Sequence, residues 1–210
     1  MQHEIHRLPF SDAVALVAAH ARSQKPLAGS TRVITIDGPA GAGKSTMAKY
    51  LAPLLSSNGI DAPIVHMDDL YRGWNDALTP RLAATLQDQI LKPISLEKSG
   101  GYRRWDWHQN QLGESVTIAR HDFLILEGVG ASQRVVRPFA TTMVWIGIEA
   151  SEGLARVLIR DGAIVADQDE FKEEMLAWQG AEILHFEREN TFDTAHLRFD
   201  GGVFAMDTRQ

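Results

Sequence analysis

Residues 38 to 46 read Gly-Pro-Ala-Gly-Ala-Gly-Lys-Ser-Thr, a spacing of glycines, one lysine and two hydroxyls that can hold a polyphosphate. Glycines at 38, 41 and 43 let successive backbone N–H groups turn inward, so an anion meets several donors at the start of a helix. Lys44 adds a mobile positive charge for the outer phosphates, and the Ser45 hydroxyl can ligate Mg²⁺. Gly38, Ala40, Gly41, Ala42, Gly43, Lys44, Ser45 and Thr46 are therefore the expected cradle for ATP with Mg²⁺ as its companion ion. The loop lies between Val33-Ile34-Thr35-Ile36-Asp37, which reads as a buried strand, and a helix-like run, as this chemistry requires.

Acidic residues end two further apolar runs: His66-Met67-Asp68-Asp69 and Leu124-Ile125-Leu126-Glu127-Gly128. Glu127 is the expected second metal group, opposite the loop serine. Asp68 and Asp69 offer a general base that could accept a hydroxyl proton and align its oxygen with a terminal phosphate. Adjacent side chains on extended backbone point to opposite sides, so one of the pair faces the phosphates while the other caps or pairs with arginine.

Arg156 and Arg160 stand four residues apart in a helical pattern, on the face opposite Leu154, Val157 and Leu158. They could reach over a polyphosphate, or form a solvated face with Arg160 against Asp161. Arg103 and Arg104 precede Trp105-Asp106-Trp107-His108, which puts charges and large rings that could stack on an acceptor into one stretch. The eight histidines show no metal-binding pair and read as structural.

These groups need a scaffold. Short apolar runs at Pro63 to His66, Phe123 to Leu126 and Met143 to Ile148 alternate with helix-compatible stretches, which implies parallel strands with crossover helices. Ala195 to Phe199 reads as an edge strand. Ser11 is the expected cap of a helix through Arg22, Pro53 is expected to kink the helix after the loop, and a helix is expected near Pro80 to Leu91. Asp167 to Asn190 reads as a long helix with Phe171, Met175 and Trp178 on its buried side. In an open parallel sheet ligands gather at the carboxyl ends of the strands, where the acidic residues lie.

The chain has 210 residues, 44% of them hydrophobic, which suits one α/β domain over 1–210 with an acceptor-site insertion around 71–120 and a lid around 153–170. A net charge of -6 argues against a nucleic-acid surface. The absence of cysteine excludes disulfides, thiolate catalysis and cysteine-ligated zinc. No apolar stretch has signal-peptide or membrane-span length, so the expectation is a cytoplasmic protein without membrane partners.

Taken together the motifs resemble the uridine kinase and phosphoribulokinase-like group of P-loop kinases. The resemblance rests on the phosphate loop, Asp68-Asp69-Leu70-Tyr71, Trp105-Asp106-Trp107, Leu126-Glu127-Gly128-Val129 and the lid segment ending in Arg160-Asp161. It implies a doubly wound, mostly parallel sheet flanked by helices, with ATP and Mg²⁺ as cofactors and often a homo-oligomer. It also implies Asp68 as catalytic base, Tyr71 and Trp105 as acceptor contacts with Arg104 and His108 beside them, Glu127 as the Mg²⁺-linked carboxylate, and Lys44, Arg156 and Arg160 as catalytic cations. Where the group commonly has adjacent lid arginines this chain has Arg156-Val157, Gly153 replaces an upstream arginine, and Ala166-Asp167-Gln168-Asp169-Glu170 is acidic.

The function expected on these grounds is phosphoryl transfer from ATP to a hydroxyl of a small metabolite, a nucleoside such as uridine being one acceptor. Two alternatives stand beside it. One is a nucleoside monophosphate kinase using Arg72, Arg81, Arg103 and Arg104 around an acceptor phosphate. The other is a nucleotide-binding regulatory protein without useful transfer.

Overall fold

A computed structural model describes residues 4–162, 165 and 167–207. The chain opens with α1 (Phe10–Ser23) and β1 (Arg32–Asp37), and the phosphate loop leads into α2 (Lys44–Leu54). Next come β2 (Ile64–His66), a helical passage made of α3 (Pro80–Ala84), a π-helical turn (Thr85–Leu91) and α4 (Lys92–Ser95), and the strands β3 (Gly100–Asp106) and β4 (Gln111–Ile118). The remainder comprises β5 (Phe123–Glu127), β6 (Ala140–Gly147), α5 (Ala150–Asp161), α6 (Gln168–Glu189), α7 (Thr191–Thr194), β7 (Leu197–Asp200) and α8 (Gly201–Asp207).

Five strands form a parallel sheet in the order β2-β5-β1-β6-β7, while β3 and β4 pair apart as an antiparallel hairpin. Side chains alternate faces along a strand, and this divides the core in two. Val33, Leu124 and Leu126 pack on one side with Leu82, Leu86, Ile90 and Trp178. Ile34, Ile36, Ile125 and Val144 pack on the other with Val14, Val17, Met47 and Leu51. Helices cover both faces, so the sheet is doubly wound, and its central strand β1 delivers the phosphate loop at its carboxyl end.

Several expectations about the elements need correction. The first helix begins at Phe10 with Pro9 in the capping position and no side-chain cap, so Ser11 lies inside it. Pro53 lies inside α2, next to its last residue Leu54, so the hydrogen bond it cannot donate belongs to the helix's last turn. The helix at Pro80 runs past Leu91 through the π-turn to Ser95. The expected acceptor-site insertion contains the β3–β4 hairpin, whose Gly-Gly-Tyr-Arg-Arg-Trp-Asp strand has no apolar alternation to announce it. Within the expected lid, residues 163, 164 and 166 lie outside the described residues. Among the described residues no helix is long and apolar enough to cross a membrane.

Candidate active site

A cavity of about 520 Å³ opens at the carboxyl ends of β1, β2 and β5. Its floor is the phosphate loop: Ala40, Gly41, Gly43, Lys44, Ser45 and Thr46 line it. Gly38 and Ala42 are not among the lining residues; Ala42 is fully buried in the core. Lys44, Ser45 and Thr46 form the first turn of α2, whose N–H groups have no preceding turn to accept from them. The loop adopts its shape partly through close backbone approach. Gly41 has φ +77, and a Cβ there would lie 2.3 Å from Gly153 O; a Cβ on Gly153 would in turn lie 2.7 Å from Ala40 O. Gly153 thus lets α5 rest directly on the loop, which gives a packing reason for glycine where the resembled group has arginine.

Two buried carboxylates brace this loop. Asp37, at the end of β1, accepts from Gly38 N at 2.8 Å, Gly130 N at 3.1 Å and Ser132 N at 2.8 Å. Burial pushes its carboxyl up to about 6, against the pull of those hydrogen bonds and the Lys44 charge. Glu182, on α6, accepts from Ala40 N at 3.0 Å and from the Trp178 side chain. Burial raises it to about 7, with Lys44 opposing.

Ser45 Oγ lies 3.1 Å from both carboxylate oxygens of Glu127, which ends β5 and is 3% exposed. The His66 ring also hydrogen-bonds Glu127, and that bond, ahead of burial and the neighbouring charges, leaves the imidazole pKa raised. His66, expected to be structural, stands on β2 next to β5 and meets Glu127 without being among the cavity-lining residues. Ser45 and Glu127 supply a hydroxyl and a carboxylate, the hard oxygen donors that suit Mg²⁺. Lys44, 8% exposed, holds its ammonium 2.8 Å from Pro39 O.

Asp68 and Asp69 diverge. Asp68 lines the cavity and is exposed to it. Partial loss of solvent, then the Glu127 charge, raises its carboxyl pKa, with Lys44, Arg160 and His66 opposing. Asp69 turns away to Arg104 Nε at 3.1 Å and the Tyr102 hydroxyl at 3.1 Å. Arg156 and Arg160 both line the cavity. Arg156 donates to Gly41 O at 3.2 Å, Gly201 O at 3.1 Å and Glu152 at 2.6 Å. Arg160 grips Asp161 through two bonds of 2.7 and 2.6 Å, which is the main cause of its raised pKa.

Four expected acceptor contacts are not brought to the cavity. Tyr71 is fully buried, its hydroxyl donating to Val129 O at 2.6 Å. Arg104 is occupied by Asp69 and Glu114. Trp105 pairs opposite Leu112 in the hairpin, with its indole N–H buried and unpartnered. His108 is exposed in the hairpin turn, its backbone N–H held by Asp106. The cavity wall is instead built by Trp74, Val129, Phe171, Met175 and Trp178, with Phe10 and Phe204 also lining the cavity. Sequence reasoning placed Phe171, Met175 and Trp178 on the buried side of a helix, the correct face, but gave them no chemistry. Arg72, Arg81 and Arg103 surround a separate cavity of about 170 Å³.

This is the fold of the P-loop kinases, a parallel five-stranded sheet wrapped by helices around a phosphate loop. The chain resembles a structure from Bacillus stearothermophilus described as a possible uridine kinase, with TM-score 0.64 and 21% identity, covering 90% of this chain and 98% of that one. It also resembles a Silicibacter sp. TM1040 structure described as a candidate fructose transport system kinase, with TM-score 0.53 and 17% identity over 92% and 98% of the two chains. One curated relative, a cytidylate kinase of Exiguobacterium sp. (strain ATCC BAA-1283 / AT1b), is 38% identical over 77 residues, 35% of this chain and 34% of that protein. The match therefore spans about a third of the relative's length. No protein-family model matches the chain.

Proposed function

We propose that the chain is an ATP- and Mg²⁺-dependent kinase that phosphorylates a hydroxyl of a small metabolite. One observation carries this reading: Asp68 opens into the same cavity as Lys44, the Ser45–Glu127 pair and Arg160. The loop N–H groups and Lys44 would hold the donor phosphates, and Ser45 with Glu127 would hold Mg²⁺, which when bound neutralises phosphate charge. Asp68 would orient the acceptor hydroxyl and take its proton as the new O–P bond forms and the bond to the leaving ADP oxygen breaks. Arg156 and Arg160 would stabilise charge on the transferring group. Most of the acceleration would come from positioning and charge neutralisation.

The monophosphate-kinase alternative loses its support from geometry, because Arg72, Arg81, Arg103 and Arg104 are not among the residues lining the cavity. The test is an acceptor screen with product analysis by ³¹P NMR. A phosphate ester is the expected product. A phosphoanhydride would favour the monophosphate kinase, and nucleotide binding without any acceptor-stimulated ADP release would favour the regulatory protein.

A further inference from the structure

The wall beside Asp68 is largely apolar, and three aromatic side chains in it or behind it, Trp178, Trp107 and Tyr71, spend their polar hydrogens within the protein. Trp74 and Trp178 meet with ring centroids 4.9 Å apart and planes inclined at 56°, forming a corner flanked by Phe171 and Met175. The Trp178 side chain is hydrogen-bonded to Glu182. Trp107, packed behind Trp74 at 4.8 Å, donates its indole N–H to Asp68 O at 3.1 Å. Tyr71, 5.7 Å from the Trp178 ring, spends its hydroxyl on Val129 O at 2.6 Å.

The wall therefore offers ring faces and a thioether to whatever enters. A nucleobase or sugar presents donors and acceptors along its edge, and an edge buried without partners forfeits the hydrogen bonds it made to water. Apart from the phosphate loop and Glu127, the polar groups of the lining are Asp68, Arg156, which is held by Gly41 O, Gly201 O and Glu152, and the Arg160–Asp161 pair, which is closed on itself. A flat apolar body gains from the same surroundings by burying area and stacking.

We propose that the acceptor is an alcohol whose hydroxyl reaches Asp68 and whose remaining body is a flat, apolar ring held against Trp74 and Trp178. The inference deepens the kinase reading and rests on it for the role of the hydroxyl; the recognition wall can be tested without turnover.

The test is isothermal titration of the full chain, saturated with Mg²⁺ and ADP, with 2-naphthalenemethanol and separately with uridine. The aromatic alcohol should bind at least roughly tenfold more tightly, the factor expected from one or two aromatic contacts. Trp74→Ala should weaken its binding by about tenfold, while Trp74→Phe, which keeps a ring face, should recover most of the loss. Uridine binding as tightly as the aromatic alcohol, or a Trp74→Ala variant that binds the alcohol normally, would overturn the proposal. A parallel assay of ADP release separates the two readings. Tight binding of the alcohol with no release stimulated by it or by any acceptor of the screen supports the apolar wall and removes the kinase reading, whereas stimulated release by uridine with weak alcohol binding does the reverse.

Discussion

Glu182 Oε1 accepts a hydrogen bond from Ala40 N at 3.0 Å, so a residue 142 positions downstream in the chain places its carboxyl group on the phosphate loop. The group is 1% exposed, and burial raises its pKa from 4.5 to about 7. Between those values the folded chain keeps a proton that the unfolded chain has released. The associated stability, about 3 kcal/mol, is complete below the unfolded pKa and is lost as pH rises through the folded one. Glu182→Gln should therefore melt close to the wild type at pH 4.5 and on the order of 5–10 °C above it at pH 8. Asp37 acts in the same direction, and His185, whose pKa burial lowers to about 4, acts in the opposite one. The difference between variant and wild type is the readout for this reason; an equal gap at both pH values would remove Glu182 from this role.

Asp68 must be ionised to accept a proton, and its pKa is raised. The acid limb of the acceptor-dependent rate should consequently lie above that of a free aspartate, with activity rising as pH increases through it. Asp68→Asn should lower turnover by roughly 10²- to 10⁴-fold while nucleotide affinity, measured by equilibrium titration, stays within a few-fold. Near-normal turnover in that variant would exclude Asp68 as the base.

Glu127 joins Ser45 and His66, which couples a metal effect to a spectroscopic one. In Glu127→Gln the Mg²⁺ concentration giving half-maximal activity should rise about 10- to 100-fold, as for other altered metal surroundings. The His66 imidazole should titrate at lower pH than in the wild type, because the partner that raises its pKa has lost its charge. NMR titration of the ring resonances checks this, and an unmoved His66 would contradict the assignment.

Tyr71 separates a structural role from an acceptor contact. Its buried hydroxyl donates to Val129 O, so Tyr71→Phe leaves a carbonyl without its partner and should cost about 1–3 kcal/mol in denaturant unfolding. The Michaelis constant for the acceptor should change little. A large rise in that constant with unchanged stability would return Tyr71 to the acceptor site.

The proposed donor half of the candidate site was legible because its chemistry is local. Lys44, Ser45 and the glycines sit within nine consecutive residues, and Glu127 ends a strand whose apolar run is plain. The proposed acceptor wall was not, because it is made by distant segments. Trp74 follows β2, while Phe171, Met175 and Trp178 come from α6; on a helix, apolar spacing signals a buried side equally whether it meets core or cavity. Asp37 and His66 carried one weak signal each, a polar residue closing a buried strand. The hairpin residues Trp105 and His108 drew attention by type, but the strand pairing of β3 and β4 holds them away from the cavity lining.

The clasp on Asp37 has a consequence for how the molecule is made. Gly130 and Ser132, which hold the carboxyl at the mouth of the loop, follow it by 93 and 95 residues. During synthesis, at about 5–20 residues per second, the phosphate-loop sequence leaves the ribosome many seconds before its clasp does. Central strand β1 must also wait for β5 and β6 to flank it, a long-range pairing of the kind that folds slowly. The earliest recognisable stretch of the chain is thus one of the later ones to acquire its working shape, and a nascent fragment ending before Gly130 would carry the signature without the means to fix it.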